Sequence, residues 1–174
     1  MTAVQLPDHV HLVVEASGID ALRRGVSGLA ISFARRLNKK LGRRGKVWGD
    51  RHHRVDLATR AAVRRALSYV FQNWKKHGAL VHGHELLAPY SSAHRFDGWS
   101  GPHVTFDETE PWPDVRPRTF LLAKGWKQAG GPLDTFVHPT PRPTKHSARL
   151  GLGPIGGPLP LRLHRWRLVG PSAD

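Results

Sequence analysis

Residues 8–15 read Asp8-His9-Val10-His11-Leu12-Val13-Val14-Glu15, an alternating pattern followed by an apolar run. Such a pattern predicts a β-strand, in which successive side chains point to opposite faces. His9, His11, Val13 and Glu15 then share one face, and Val10, Leu12 and Val14 anchor the other. Two imidazoles side by side on an anchored strand are a candidate metal site.

The His-x-His spacing alone is weak support for a metal site. A chain with 12 His in 174 residues contains roughly 0.8 such pairs by chance. A second pair, His82 and His84, does occur, but Gly83 leaves it without a fixed strand. A zinc site at that second pair is therefore the weaker alternative, and the first pair needs support from elsewhere in the chain.

The charge of the chain indicates its partner class. The formal net charge is +14, and residues 1–78 hold 16 Lys and Arg against 5 Asp and Glu, whereas residues 79–174 hold 11 against 8. A positive field concentrated in one region is typical of proteins that bind a phosphate backbone. Nucleic acid is the leading partner, and a merely basic protein without such a partner is the alternative.

Cysteine usage and hydropathy exclude other classes. With no cysteine, neither a disulfide scaffold nor a thiolate zinc cluster is available. Residues 1–7 lack the layout of a signal peptide, and no apolar run approaches the ~20 residues that span a bilayer. We therefore expect no membrane partner and a cytoplasmic protein, nucleoid-associated if DNA is its partner.

A long amphipathic helix is predicted over residues 18–41. Its apolar stripe runs at spacings of three and four residues, and Gly42 is the expected stop. Basic residues crowd its end and the segment that follows, where a solvated helix face is the ordinary interpretation and a phosphate track the functional one. The predicted DNA-binding residues are Arg35, Arg36, Lys39, Lys40, Arg43, Arg44, Lys46, Arg51 and Arg54.

Residues 45–57 predict a turn and then a strand interrupted near Gly49. His52 and His53 would point to opposite faces of that strand, so at most one of them faces a site. We favour DNA contact or simple exposure over metal binding for both.

A second helix is predicted over residues 59–77, with Thr59 as its N-cap and Gly78 as its end. One stripe, Val63, Leu67, Val70 and Trp74, is the expected core. The adjacent stripe is Ala62, Ala66, Tyr69 and Asn73, which sets a phenol and a carboxamide one turn apart, where side chains meet. Tyr90, the other tyrosine of the chain, lies in a turn-prone segment without such a partner.

The composition changes after residue 78, since 13 of the 14 prolines lie beyond residue 80. We predict a core over 1–78, a docked extension of loops and a short helix over 79–138, and a poorly ordered basic tail over 139–174. The short helix is expected within residues 118–128. Residues 159–168 have the alternation of one more strand.

Two imidazoles and an amide oxygen are three neutral ligands, which leave the charge of a divalent cation undiminished. Such an ion is a Lewis acid for a phosphodiester oxygen. Tyrosine supplies a nucleophile that can form a covalent phosphoester and so conserve the bond for religation. The residues thus favour DNA cleavage, with His9, His11 and Asn73 near the metal and Tyr69 as the nucleophile.

Three segments, residues 6–15, 45–51 and 67–78, resemble in order the signature segments of the single-tyrosine HUH transposases, especially the REP-associated tyrosine transposases of bacteria. The resemblance covers roughly residues 5–78. It implies an α+β fold with a ferredoxin-like antiparallel sheet flanked by helices, and a homodimer. It also implies transposase-like, metal-dependent cleavage and rejoining of single-stranded DNA at hairpin-forming repeats.

The resemblance also assigns roles by position. His9 and His11 match the paired metal ligands, Asn73 matches the polar third ligand, and Tyr69 matches the nucleophile, with Mg²⁺ or Mn²⁺ as the ion. The family has a strand and a helix before the histidine strand, where this chain has eight residues, so we expect a core that is incomplete at its N-terminus.

Two other functions are weighed against that enzyme. One is a catalytically inactive remnant of the same family that still binds DNA. The other is a nucleotide hydrolase of the histidine-triad class, which needs a third histidine at position 13, where this chain has Val13.

Overall fold

The computed structural model describes residues 2–6, 9–49, 53–77, 87–88, 91–101, 116–136 and 161–167. Its strands are β1 (Thr2–Leu6), β2 (His9–Glu15), β3 (His53–Asp56) and β4 (Leu161–Arg167). Its α-helices are α1 (Ile19–Lys40), α2 (Arg60–Gln72) and α3 (Phe120–Ala123), and short 3₁₀ turns cover Asn73–His77, Ser92–Arg95 and Gly125–Ala129. The protein is therefore a mixed helix and strand structure, as the sequence predicts.

The four strands form one antiparallel sheet in the order β1-β2-β4-β3. The histidine strand β2 lies inside it, with β1 on one side and β4 on the other. A strand between two neighbours has its backbone groups paired on both edges, which fixes the direction of its side chains. The sheet thus gives His9 and His11 a rigid base.

Strand β4 corrects part of the prediction for the end of the chain. A poorly ordered tail was expected over residues 139–174, with one more strand at 159–168 as the alternative. The strand is what the structure has, since all seven residues of β2 pair with β4, from His9 opposite Arg167 to Glu15 opposite Leu161. The rest of that tail lies outside the described residues.

The helices cover opposite faces of the sheet. Leu12 packs with Leu22 and Val26 of α1, whereas Val13 belongs to the core that α2 fills. The alternation predicted for β2 is therefore confirmed, and its histidine face is the one that meets α2. Among the described residues, no helix is long and apolar enough to cross a membrane.

Helix α1 is confirmed, but its stripe is less buried than expected. Leu22 and Val26 are buried, whereas Leu29 is 39% exposed and Leu41 is 59% exposed. The helix ends as predicted at Gly42, whose φ of 61° is left-handed. The N–H groups of Gly42 and Arg43 donate to the carbonyls of Lys39 and Asn38, which is a Schellman motif.

Helix α2 begins as predicted, because the Thr59 hydroxyl accepts from the N–H of Ala62. Its predicted stripe is the core, with Val63, Leu67 and Val70 at most 1% exposed. The predicted end at residue 77 is wrong for the α-helix, which stops at Gln72. Asn73–His77 continues as a 3₁₀ turn, a tighter winding that is frequent at helix ends.

Part of the strand predicted within residues 45–57 is observed, since His53–Asp56 pairs with β4. Residues 50–52 lie outside the described residues, and residues 45–48 run along α1. There the indole N–H of Trp48 donates to the carbonyl of Ala30 at 2.9 Å, and its ring packs on Phe33. Gly45, with a φ of 99°, makes the turn that a strand would not allow.

The described parts of the 79–138 extension pack against α2. Phe71 of α2 contacts the rings of Phe96 and Trp99, and Phe96 contacts Trp126. The predicted helix at 118–128 is observed as α3 followed by a 3₁₀ turn. Helix α2 thus lies between the sheet and this aromatic cluster, with neighbours on both sides.

Candidate functional site

The metal half of the predicted site is built on β2. His9 and His11 project toward α2 and are each 1% exposed. Their rings meet edge to face with centroids 4.8 Å apart, as expected for residues two positions apart on one strand face. The pair is buried and adjacent, so its imidazoles can serve one common ligand.

Helix α2 brings the other half of the site to the histidines. The Asn73 amide nitrogen Nδ2 lies 3.2 Å from His11 Nε2, and the Tyr69 ring lies 5.2 Å from the His11 ring, edge to face. Asn73 is 1% exposed, and Tyr69 is half-buried. All four predicted residues, His9, His11, Tyr69 and Asn73, thus come together, and they are called the four-residue site below.

The donor atoms of this site fit a divalent cation. Adjacent ligands of an octahedral ion at about 2.1 Å lie about 3.0 Å apart, close to the 3.2 Å between His11 and the Asn73 amide. The amide nitrogen and oxygen are interchangeable by a flip, so Asn73 can present its oxygen. Imidazole donors suit transition metals more than Mg²⁺, which makes Mn²⁺ the better test ion.

The described residues hold no cluster of three or more His, Cys, Asp or Glu that could bind a metal. A metal at the four-residue site would therefore depend on the neutral amide of Asn73 as a third ligand. Such a donor set carries no negative charge and binds weakly compared with a carboxylate site.

The end of α2 is fastened by contacts that the sequence did not indicate. Gln72 Nε2 donates to the carbonyl of Asp134 at 2.8 Å, and Lys75 Nζ donates to the carbonyl of Thr135. Burial lowers the pKa of Lys75, and the nearby Asp134 carboxylate opposes that shift. These two bonds flank Asn73 and hold the turn that carries it.

Glu15 lies on the histidine face of β2 but serves a structural purpose. Its carboxylate accepts from the N–H groups of Arg118 and Thr119, at 3.0 and 2.8 Å, and from the Thr119 hydroxyl at 2.5 Å. A carboxylate at a helix start satisfies donors that the helix leaves open. Glu15 therefore fixes α3 to the sheet, which no local sequence pattern indicated.

Most of the predicted DNA-binding residues are solvent-exposed, with Arg43 half-buried. Within the described part of the chain, none of those between residues 35 and 46 forms an ion pair with an acidic side chain. Arg54 differs, because its Nε lies 3.9 Å from an oxygen of Asp56. Arg51 lies outside the described residues.

Of the competing histidines and tyrosine, the structure describes His53. His53 is exposed on β3, and its contact with DNA stays a prediction. His52, His82, His84 and Tyr90 lie outside the described residues, so the alternative zinc site stays a prediction. Comparison with protein-family models, with curated proteins and with solved structures found no match for this chain.

Proposed function

We propose that this protein cleaves and rejoins single-stranded DNA through a phosphotyrosine intermediate, as a transposase-like enzyme of the single-tyrosine HUH kind. In this proposal the antiparallel sheet is the ferredoxin-like sheet of that family, and the active form is a homodimer. The observation that carries the proposal is the approach of Tyr69 and Asn73 to His11, at 5.2 Å between rings and 3.2 Å between polar atoms.

Two independent features support a phosphodiester substrate. The four-residue site combines a nucleophile with donors for a divalent cation, which is the combination that phosphoryl transfer needs. The same part of the chain carries most of the net charge of +14, which favours a polyanion. Neither feature depends on the resemblance of the three sequence segments.

The proposed reaction exchanges one phosphoester for another. The Tyr69 oxygen attacks the phosphorus, its proton is lost, and the bond from phosphorus to the 3′ oxygen breaks. The products are a 5′-phosphotyrosyl link and a DNA end whose 3′ oxygen takes up a proton. A bound Mg²⁺ or Mn²⁺ would supply Lewis-acid polarisation of a phosphate oxygen. Rejoining is the same exchange in reverse, with a 3′ hydroxyl as the nucleophile.

The covalent intermediate provides the test. The protein is incubated with Mn²⁺ and a labelled single-stranded DNA that contains hairpins, and the adduct is resolved on a denaturing gel. We expect an adduct with the wild-type protein and with Tyr90→Phe, and none with Tyr69→Phe, because removal of the phenol oxygen removes the nucleophile. An adduct that persists in Tyr69→Phe contradicts the assignment.

A second candidate function is a DNA-binding module of the same ancestry that does not cleave. The burial of His9, His11 and Asn73, each 1% exposed, favours this candidate. For cleavage, a phosphate of the DNA must come close to metal-ligand atoms that the fold encloses. This candidate predicts hairpin binding that falls with salt and is unchanged by chelator or by His9→Ala. It also predicts no covalent adduct in the presence of Mn²⁺, so an adduct that depends on Tyr69 argues against it.

A further inference from the structure

The last two turns of α1 extend beyond the strand on which the helix packs. A three-residue connection between β2 and α1 returns the helix antiparallel to the strand. With 22 and 7 residues, the helix is about 33 Å long and the strand about 23 Å. The overhang of about 10 Å corresponds to about the last seven residues of α1, from about residue 34 onward.

This overhang and the loop after it carry a dense positive charge. Residues 35–46, which we call the basic arm, contain seven Lys and Arg and no acidic residue. Four of them, Arg35, Arg36, Lys39 and Lys40, are exposed on the helix, and Arg44 and Lys46 are exposed on the loop. Within the described residues, these side chains have no acidic partner to neutralise them.

Asn38 locks the loop of the basic arm to the helix. Its amide nitrogen donates to the carbonyl of Gly45 at 2.9 Å, and its amide oxygen accepts from Arg43 Nε at 3.0 Å. Arg43 also donates through Nη2 to the carbonyl of Lys46 at 3.4 Å. One orientation of the amide satisfies both bonds, so the Arg43 guanidinium is held in place before any partner arrives.

Trp48 fixes the far end of this loop. Its indole donates to Ala30 and its ring packs on Phe33, with centroids 5.0 Å apart. The loop therefore lies along α1 from Asn38 back to Ala30. Because these bonds already hold the loop backbone, less ordering entropy is lost there on binding, and more of the electrostatic attraction contributes to affinity.

We propose that the basic arm binds the phosphate backbone of a DNA hairpin stem, independently of the metal, and that Asn38 positions Arg43 for this contact. The proposal rests on DNA being the partner in the proposed function. Exposed cations that have no acidic partner among the described residues suit an array of phosphates, and such contacts orient DNA without reading its bases. Because α1 lies on the sheet face opposite the four-residue site, the arm holds the stem while the site acts on a single-stranded part.

The test measures hairpin affinity in EDTA at several salt concentrations, by fluorescence anisotropy with a labelled hairpin. Removal of two arm cations in Lys39→Gln/Lys40→Gln should reduce the slope of log affinity against log salt by about 0.9 for each phosphate that is no longer neutralised. The control Arg23→Gln/Arg24→Gln removes the same charge from the first half of α1 and should leave the slope unchanged. If the two double variants reduce the salt slope by the same amount, the proposal is overturned.

Asn38→Ala separates positioning from charge. It removes no charge, yet it should weaken hairpin binding about fivefold, because the bond that holds Arg43 is absent. Thermal unfolding of each variant confirms that the fold is intact. A stem of scrambled sequence should bind equally well, and an unaffected Asn38→Ala protein contradicts the positioning role.

Two further outcomes distinguish this proposal from its competitors. If the wild-type protein forms no adduct with Mn²⁺ but the two charge variants still differ in salt slope, the proposed cleavage is wrong and the arm proposal is supported. If polyglutamate competes as well as the hairpin at equal charge, the arm is a site for acidic proteins and the DNA assignment is overturned.

Discussion

Helices α1 and α2 belong to the same sheet but differ in how they are held. Helix α1 has 22 residues, of which Leu22 and Val26 are buried, whereas α2 has 13 residues and six buried side chains. The first helix packs on the sheet by its beginning, and Trp48 packs on it further along. The second lies between the sheet and the aromatic cluster of the extension.

This difference matches the two tasks proposed for the molecule. Cleavage needs donor atoms held to within a fraction of an ångström, and a helix packed on both sides provides that accuracy. Backbone binding needs accessible charge over a wide surface, and a projecting helix provides it. The contrast also predicts that changes on α2 affect stability far more than similar changes on α1.

The largest effect is expected from cavities under α2. Leu67→Ala removes a side chain that is 1% exposed, and it should lower the free energy of unfolding by about 2–5 kcal/mol. The matched change on the first helix, Leu29→Ala, alters a residue that is 39% exposed and should stay within about 0.5 kcal/mol. Urea denaturation measures both, and equal losses would contradict the contrast.

Glycine substitutions should sharpen the contrast, because their effects have opposite signs. A Cβ at Gly98 would lie 2.3 Å from Cη2 of Trp126, so Gly98→Ala should destabilise the packed extension by about 1–3 kcal/mol. A Cβ at Gly28, within α1, has no atom within 4 Å. Gly28→Ala should therefore stabilise the protein by about 0.5–1 kcal/mol. A gain in melting temperature for Gly98→Ala is the contrary result.

A smaller effect is expected at the contact between α2 and residues 130–132. Arg64 donates to the carbonyls of Gly130, Gly131 and Pro132 at 2.9, 3.3 and 3.0 Å. Arg64→Met should cost about 1 kcal/mol in the free energy of unfolding, because these bonds are partly solvent-exposed. Its neighbour Arg65 is exposed, and Arg65→Met in the same denaturation assay should change little. A larger loss of unfolding free energy in Arg65→Met than in Arg64→Met would contradict the stabilising role of the Arg64 bonds.

Local patterns in the sequence predicted much of this structure. The alternation of residues 8–15 fixed both the strand and the face of His9 and His11, and the spacing of Tyr69 and Asn73 placed both on one side of α2. The cap at Thr59 and the stop at Gly42 follow from local chemistry alone. The one further requirement for assembling the predicted site was that α2 pack on the histidine face of the sheet.

Contacts between distant segments could not be predicted in this way. The position of β4 between β2 and β3 depends on which strand edges meet, and a single strand pattern does not encode its neighbours. Glu15 meets Thr119 across 104 positions of sequence, and Gln72 meets Asp134 across 62. The apolar stripe of α1 predicted burial along the whole helix, but the strands beneath it are too short to cover its last turns.

The central claim is that His9, His11 and Asn73 hold a divalent cation beside Tyr69. It is tested most directly by titrating the DNA-free protein with Mn²⁺ and recording electron paramagnetic resonance, with spin-echo detection of imidazole nitrogens. We predict one Mn²⁺ per chain with nitrogen couplings that disappear in His9→Ala/His11→Ala, weaker binding in Asn73→Ala, and no change in the exposed-residue control His53→Ala. Unaltered nitrogen couplings in the double-histidine variant would contradict the account.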